Sequence, residues 1–304
     1  MRSLFIFIFI SFFILVSISL TEIYLRYLGL GDPVRYDSNY IYGYAPKENQ
    51  KKERLRGSIV TINELGLRTP FSWNNLEKKK IIFMGDSITY GGSYIDDKDI
   101  FSNLVCEEIK KYICGNAGVN AYSVQNMVLR SKYDKRIHNG QIYIFLFAPG
   151  DFYREYADSN TAHFYLNRKE FFLPAITEAL SFIATKYDLN NFISKKDDTK
   201  INRNQRDLID FSILMLVEEI SRLEKNGKQV INFYTIERDD KNSKKELNSY
   251  ILSKLKEINI KNFFTLENVL IDDELFYDGV HYSQSGHKKV SKEISSKIKF
   301  LGLN

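Results

Sequence analysis

The sequence predicts an α/β fold, a mostly parallel sheet with helices on both faces, preceded by one membrane-spanning helix. Two observations carry this. From Lys80 onward, apolar runs of four to seven residues alternate with amphipathic stretches of ten to twenty, the signature of βα crossover units. Ahead of them, Ser3 to Thr21 carries no charge and is mostly Phe, Ile and Leu. Composition agrees: with 304 residues, 44% hydrophobic and 27% charged, the chain can bury a sizeable core, and wholesale disorder is excluded. The balance of 43 Lys+Arg against 38 Asp+Glu leaves +5, scattered along the chain. That argues against a nucleic-acid partner, which needs a denser basic stripe. Cys106 and Cys114 are too few for a disulfide scaffold or a four-cysteine zinc site; whether they pair is left open.

Residues 1–30 read as a signal anchor. Nineteen uncharged residues (3–21) span about 28 Å as a helix, close to the hydrocarbon thickness of a bilayer. A cleaved signal peptide is the competing reading. It would need a small-residue exit, and the exit here is Ser19-Leu20-Thr21-Glu22-Ile23-Tyr24. Arg2 and the amino group favour an N-terminus inside and the bulk of the chain outside the cytoplasm, although Arg26 and Arg35 weaken that bias. The bilayer, through residues 3–21, is thus an expected partner.

Residues 31–79 read as a linker and lead-in, Gly29 to Glu53 showing little periodicity and Ser58 to Leu67 a short strand with a turn. Residues 80–304 form the expected main domain. Its first strand is Ile81–Met84, stopped by Gly85. A helix is expected over Ile100–Ile113 with Asp99 as its cap, a strand over Cys114–Val119, and a helix over Tyr122–Ile137. Ile142–Ala148 is the strongest strand, ended by Pro149-Gly150. An insertion at about 152–202 carries one helix near Leu173–Tyr187. Beyond it the pattern gives a helix over Asn204–Lys225 with Gly227 as its C-cap, a strand over Val230–Ile236, a helix over Lys244–Ile258, a short strand within Phe263–Leu270 and a closing helix over Gln284–Leu301.

Ligands of open α/β sheets bind beyond the carboxyl ends of the strands. The segments there are Gly85-Asp86-Ser87-Ile88-Thr89, Asn116-Ala117-Gly118, Pro149-Gly150-Asp151 and, near the C-terminus, Asp278-Gly279-Val280-His281. Ser87 sits on a strand-to-helix turn, where a serine is exposed and its own N–H can bind an oxyanion. A serine needs a base, and His281 is the candidate; Asp278, three residues earlier, is placed to orient the imidazole. Gly118 offers a second oxyanion N–H with no side chain in the way.

With these residues the chain resembles the SGNH/GDSL hydrolases, a family of serine esterases and acyltransferases. The resemblance rests on GDSIT (85–89), Gly118 within NAGVNAYS, and DGVH (278–281), and covers about 80–304; TINELGLR ahead of the first block is similar to the lead-in of membrane-anchored bacterial members. It implies a flavodoxin-like three-layer α/β/α fold with a five-stranded sheet in the order 2-1-3-4-5, Ser87 as nucleophile, His281 as base, and no cofactor or metal. One departure matters. The family's third block is usually Gly-x-Asn-Asp, whose Asn side chain donates to the oxyanion; here it is Ala148-Pro149-Gly150-Asp151. Asp151 cannot replace that donor while ionised, since a carboxylate only accepts.

Other readings of the same residues are weaker. No G-x-x-x-x-G-K-[ST] or G-x-G-x-x-G is present, which argues against a phosphate-binding loop. His281 and His287 lack a third ligand at useful spacing for a metal. His287 is expected to pack at the start of the last helix, His138 and His163 to lie on the surface, Asp86 to hold the turn, and KKERLR (51–56) to be a solvated loop. The expected activity is hydrolysis or transfer of O-acyl groups, acetyl above all, on an acylated glycan or lipid of the cell envelope. The alternatives are an idle glycan-binding accessory protein and a lysophospholipase or lipase.

Overall fold

The computed structural model describes residues 2–74, 78–159, 174–186, 204–236, 242–272 and 275–303. The chain opens with helix α1 (Arg2–Tyr27), whose apolar side chains stand exposed, Phe5 at 72% and Ile23 at 64%. Its stretch Leu4–Tyr27 is long and apolar enough to cross a bilayer.

Four short strands follow. β1 (Tyr36–Asn39) pairs antiparallel with β2 (Gly43–Pro46), and β3 (Gln50–Glu53) with β4 (Ile59–Ile62). Isolated bridges Ile62↔Arg68 and Arg68↔Asn116 tie this segment to the edge of the main sheet. It is therefore not the loose linker that its polar, turn-rich sequence suggests. Val34, Tyr36, Tyr44, Val60 and Ile62 are buried and share a core with the sheet. The sparse apolar residues here are aimed at a surface built by residues far away in sequence.

The main sheet consists of β5 (Lys79–Gly85), β6 (Tyr112–Asn116), β7 (Ile142–Phe147), β8 (Gln229–Tyr234) and β9 (Phe263–Thr265), in the order β6-β5-β7-β8-β9 with every pair parallel. Counted within the sheet this is 2-1-3-4-5, as expected. The intervening helices are α2 (Ser87–Tyr90), α3 (Phe101–Glu108), α4 (Val124–Tyr133), α5 (Pro149–Tyr153), α6 (Ala175–Lys186), α7 (Gln205–Lys225), α8 (Asn242–Ile258) and α9 (Gln284–Phe300). Alternate strand residues serve opposite faces. Ile82, Met84, Tyr143 and Phe145 pack with α4, α7 and α8, through Met127, Ile213 and Ile251 among others. Ile81, Phe83, Ile142 and Ile144 pack with α3 and α9, through Val105 and Ile294. All six residues of β7 are buried, which explains its unbroken apolar sequence.

The helix expected over Ile100–Ile113 ends at Glu108, and its cap is Ile100 instead of Asp99. Tyr112 and Ile113 pair with Lys79 and Lys80 in the sheet, so tertiary pairing overrides their helical spacing. Cys106 and Cys114 are bridged, with Cα atoms 5.8 Å apart, stapling α3 to β6. Most of the expected insertion at 152–202, His163 included, lies outside the described residues; α6 matches the helix expected there.

Candidate active site

β5 ends at Gly85 and the chain turns at once into α2. Glycine is required at the turn, because a Cβ would lie 1.9 Å from Thr89 Oγ1 and 2.9 Å from the Leu146 carbonyl oxygen. Asp86 caps α2, its Oδ1 accepting from the Ile88 N–H at 2.8 Å. Ser87 is thereby the first helical residue, whose N–H has no partner within the helix.

The loop after Phe276 is closed by the bridge Phe276↔Tyr282 and by the Tyr277 N–H donating to the His281 carbonyl at 2.6 Å. Within it the N–H groups of Val280 and His281 donate to Asp278 Oδ1 at 3.1 and 2.8 Å. This fixes the carboxylate and leaves Oδ2 for the ring: His281 Nδ1 lies 2.7 Å from Asp278 Oδ2. On the other side His281 Nε2 lies 2.9 Å from Ser87 Oγ. Residues 194 positions apart are thus joined in one chain of hydrogen bonds, Ser87–His281–Asp278.

The electrostatics suit a base. Burial disfavours a charged His281, but the hydrogen bond from its ring to Asp278 and the negative charges of Asp278 and Asp86 outweigh this, and its pKa lies above the usual 6.5. Burial likewise opposes ionisation of Asp278, yet the hydrogen bonds and charge of His281 carry its pKa down to about 2. The ring therefore faces a carboxylate that stays ionised at any pH of interest. His287 does not join this group. It is fully buried at the start of α9, as expected, its Nδ1 accepting from the Phe101 N–H at 3.2 Å, and burial lowers its pKa to about 3.

Ser87 and His281 open into a cavity of about 610 Å³. Its walls include Tyr90, Tyr94, Asn120 and Tyr277, with Tyr94 and Tyr277 stacked at 4.1 Å between ring centroids. Pro33, Val34, Tyr36, Arg54 and Leu55, from the segment ahead of the sheet, complete it. Sequence reasoning missed these wall residues. Arg54 in particular belongs to KKERLR, expected to be a solvated loop; instead it is 2% exposed and ion-paired with the fully buried Glu178 of α6. That partner is 124 positions away, so no local pattern announces it.

The oxyanion assignment needs one correction. The Gly118 N–H, expected as the second donor, donates to Asn116 Oδ1 at 2.8 Å. Glycine is required there for a different reason: a Cβ would meet the Tyr90 nitrogen at 2.3 Å and the Thr89 carbonyl carbon at 2.7 Å, so the loop packs against the back of α2. Two residues on, Asn120 lines the cavity and Ala121 takes a left-handed φ of 64°. Among the described residues, neither the Asn120 nor the Ala121 N–H donates a hydrogen bond. An alanine in this region carries no sequence signal, since glycine or asparagine is the usual occupant.

Gly150 and Asp151, the third-block positions, fall in the first turn of α5 and do not line the cavity. Asp151 is fully buried; its Oδ2 accepts from the Ala148 N–H at 2.8 Å. Burial, and after it the neighbouring Asp86 carboxylate, raise the Asp151 pKa well above its ordinary value of 3.8. Asp86 is thus structural, as expected.

TINELGLR also finds its purpose. Arg68 is fully buried and donates to Asp97 Oδ1 at 2.9 Å and to the carbonyls of Tyr90, Gly92 and Ile95 at 2.8, 2.6 and 2.5 Å. It clamps the chain leaving α2, just behind Ser87.

No family model and no curated protein matches the sequence. Solved structures do match in fold. A member of the lipolytic G-D-S-L family from Veillonella parvula is 16% identical over 72% of this chain and 96% of its own, with a TM-score of 0.40. A catalytic mutant of Axe2, an acetylxylan esterase from Geobacillus stearothermophilus, is 15% identical over 72% of this chain and 94% of its own, with a TM-score of 0.44. The acetyl xylan esterase AlAXEase is 18% identical over 72% of this chain and 99% of its own, with a TM-score of 0.45. These likenesses are distant, and the chemistry of this chain follows from its own side chains.

Proposed function

We propose that this protein is a membrane-anchored serine esterase or acyltransferase acting on O-acyl groups, acetyl above all, of cell-envelope carbohydrate. The observation that carries this reading is the hydrogen-bonded chain Ser87–His281–Asp278 at the mouth of a cavity of about 610 Å³. His281 Nε2 takes the Ser87 Oγ proton as Oγ attacks the ester carbonyl. Asp278 holds Nδ1–H and stabilises the imidazolium. The oxyanion is met by the Ser87 N–H and the N–H groups of the Asn120–Ala121 turn. His281 then gives its proton to the departing alkoxide, leaving an acyl-Ser87. Water or a sugar hydroxyl, deprotonated by the same ring, releases the acyl group and restores Ser87 Oγ–H.

The anchor and its orientation rest on the apolar α1 and on Arg2 at its start. The Cys106–Cys114 bridge supports an oxidising compartment outside the cytoplasm. Retention of α1 is supported by Glu22, whose carboxylate accepts from the N–H groups of Ala175 and Ile176 at 2.9 and 3.1 Å and would be lost on cleavage.

The test is p-nitrophenyl acetate hydrolysis by the full chain in detergent, with fluorophosphonate labelling. Ser87→Ala and His281→Ala should each lose three orders of magnitude or more, and the label should map to Ser87. A wild type that neither labels nor turns over would instead make this an idle glycan-binding protein. The apolar lining from Val34 and Leu55 favours lysophospholipase activity as a second reading; a preference for long-chain p-nitrophenyl esters would select it. The pH profile follows from the raised pKa of His281, which must be neutral to act. Activity should rise with pH through an ionisation above 6.5 and then level off. Asp278→Asn removes the charge that raises it. The limb should move to lower pH while the plateau falls about 10³–10⁴-fold.

A further inference from the structure

We propose that α6 is a second membrane element, lying in the headgroup layer of the bilayer that α1 crosses, and that it holds the Ser87 cavity at the membrane surface to receive an acyl ester carried on a bilayer-anchored amphiphile. This deepens the esterase reading and rests on it for the substrate, but not for the position of α6.

The level of α6 is set by Glu22. This is the first charged residue after the run Ser3–Thr21, so it marks where hydrocarbon ends. Both its carboxylate oxygens accept from the first turn of α6, at Ala175 and Ile176. Glu22 also pairs with Arg26, one turn on, at 2.7 Å. The helix therefore starts at the interface. Its buried side carries Ala175 and Glu178. Leu180 and Ile183 lie three apart on the outward side, 59% and 48% exposed. Tyr24 and Tyr27 of α1, at the same level, are 61% and 85% exposed, and tyrosine favours this depth. Large apolar side chains on an outward face that continues a spanning helix are suited to lipid.

The same helix reaches the cavity through one buried side chain. Glu178 accepts from the Gly31 N–H at 2.5 Å and pairs with Arg54. Arg54 donates to the Gly29 carbonyl at 2.8 Å and forms part of the cavity wall with Pro33 and Val34. Only five residues (28–32) separate the end of α1 from that wall. The cavity wall is thus joined to the interface through two side chains, Glu178 and Arg54, a link that would bring an ester on a headgroup to the Ser87 cavity while its tail stays in the bilayer.

The experiment uses the full chain in vesicles of phosphatidylcholine and phosphatidylglycerol at 3:1. Both native cysteines are bridged, so a cysteine introduced by Leu180→Cys is labelled alone with an NBD fluorophore. Lys110→Cys, just before β6 and at the end of the sheet opposite Ser87, is the control. The label at 180 should emit to the blue of the control, resist iodide, and be quenched more by shallow than by deep doxyl lipid. Emission and iodide quenching equal to the control would overturn the proposal, whatever the enzyme does. For the substrate, acetate release is compared from dodecyl and methyl 6-O-acetyl-glucoside. The wild type should prefer the dodecyl ester by tenfold or more, and Leu180→Asp/Ile183→Asp should abolish that preference while leaving the methyl ester rate unchanged. Equal rates in the wild type, or an equal fall on both esters in the variant, would overturn it. Silence on both esters beside a lipid-embedded label would sink the esterase reading alone.

Discussion

Two buried arginines divide the segment ahead of the sheet into halves with different duties. Arg68 donates four hydrogen bonds inside one continuous body, to Asp97 and to three carbonyls of the chain that leaves α2. Arg54 is as deeply buried, but its partners are Gly29 just beyond α1 and Glu178 on α6. The first sets the backbone behind Ser87. The second joins the cavity wall to the anchor. Burial alone does not say what an ion pair does; the elements on its two sides do.

Removing Arg68 tests the first half and should have the larger effect. Arg68→Met leaves Asp97 buried beside three carbonyls without their donor, and a broken buried pair costs about 3–5 kcal/mol. Denaturant unfolding should register this as a global loss, and the Ser87 turn should react more slowly with fluorophosphonate even where the protein is still folded. A loss under 1 kcal/mol would show that water takes over these bonds, and the clamp would be no clamp.

The corresponding change on the other side should be milder. Arg54→Met strands Glu178, but α6 can detach without opening the sheet, so the cost is bounded by the free energy of that local opening. Hydrogen exchange should speed up in α6 and residues 29–33 while β5 and β7 keep their protection, and global unfolding should shift by about 1 kcal/mol or less. If exchange rises across the sheet as it does for Arg68→Met, the two halves form one cooperative unit and the distinction between them fails.

The comparison also shows what a sequence can and cannot display. The sheet was legible because β5, β7 and β8 are buried on both faces: Ile81–Met84 and Ile142–Phe147 read as unbroken apolar runs, and Val230–Tyr234 as one interrupted only by Asn232. Ser87, Asp278 and His281 were legible as a group because each follows a strand end or sits in a short turn motif. Arg54 was not, since KKERLR looks like any solvated basic stretch and its partner is remote. Gly118 was legible as a glycine that must be there but not for what it does: its N–H is taken by Asn116, and close packing on α2 is what requires it. Pairing of Cys106 with Cys114 waited on where α3 stops, which sheet pairing decides and helical spacing does not.

The Asn120–Ala121 turn beside the cavity offers the smallest and sharpest test. It is held by the half that contains Arg54: Tyr44 Oη donates to the Asn120 carbonyl at 2.7 Å, and Tyr122 Oη donates to the Tyr44 carbonyl. Between them Ala121 sits at φ 64°, where its Cβ costs about 1–2 kcal/mol. Ala121→Gly relieves that strain and adds about 0.5–1 kcal/mol of unfolded-chain entropy, so the net gain is about 1 kcal/mol or less. A rise in Tm of about 1–3 °C is the expected outcome. The turn is already fixed by the two tyrosines, so the proposed esterase activity should stay within about twofold. A fall in activity with a rise in Tm would mean that the alanine itself shapes the turn for the proposed reaction. A fall in Tm would mean that the turn relaxes once the Cβ is gone, and that the lead-in holds it less firmly than the pair of tyrosine hydrogen bonds implies.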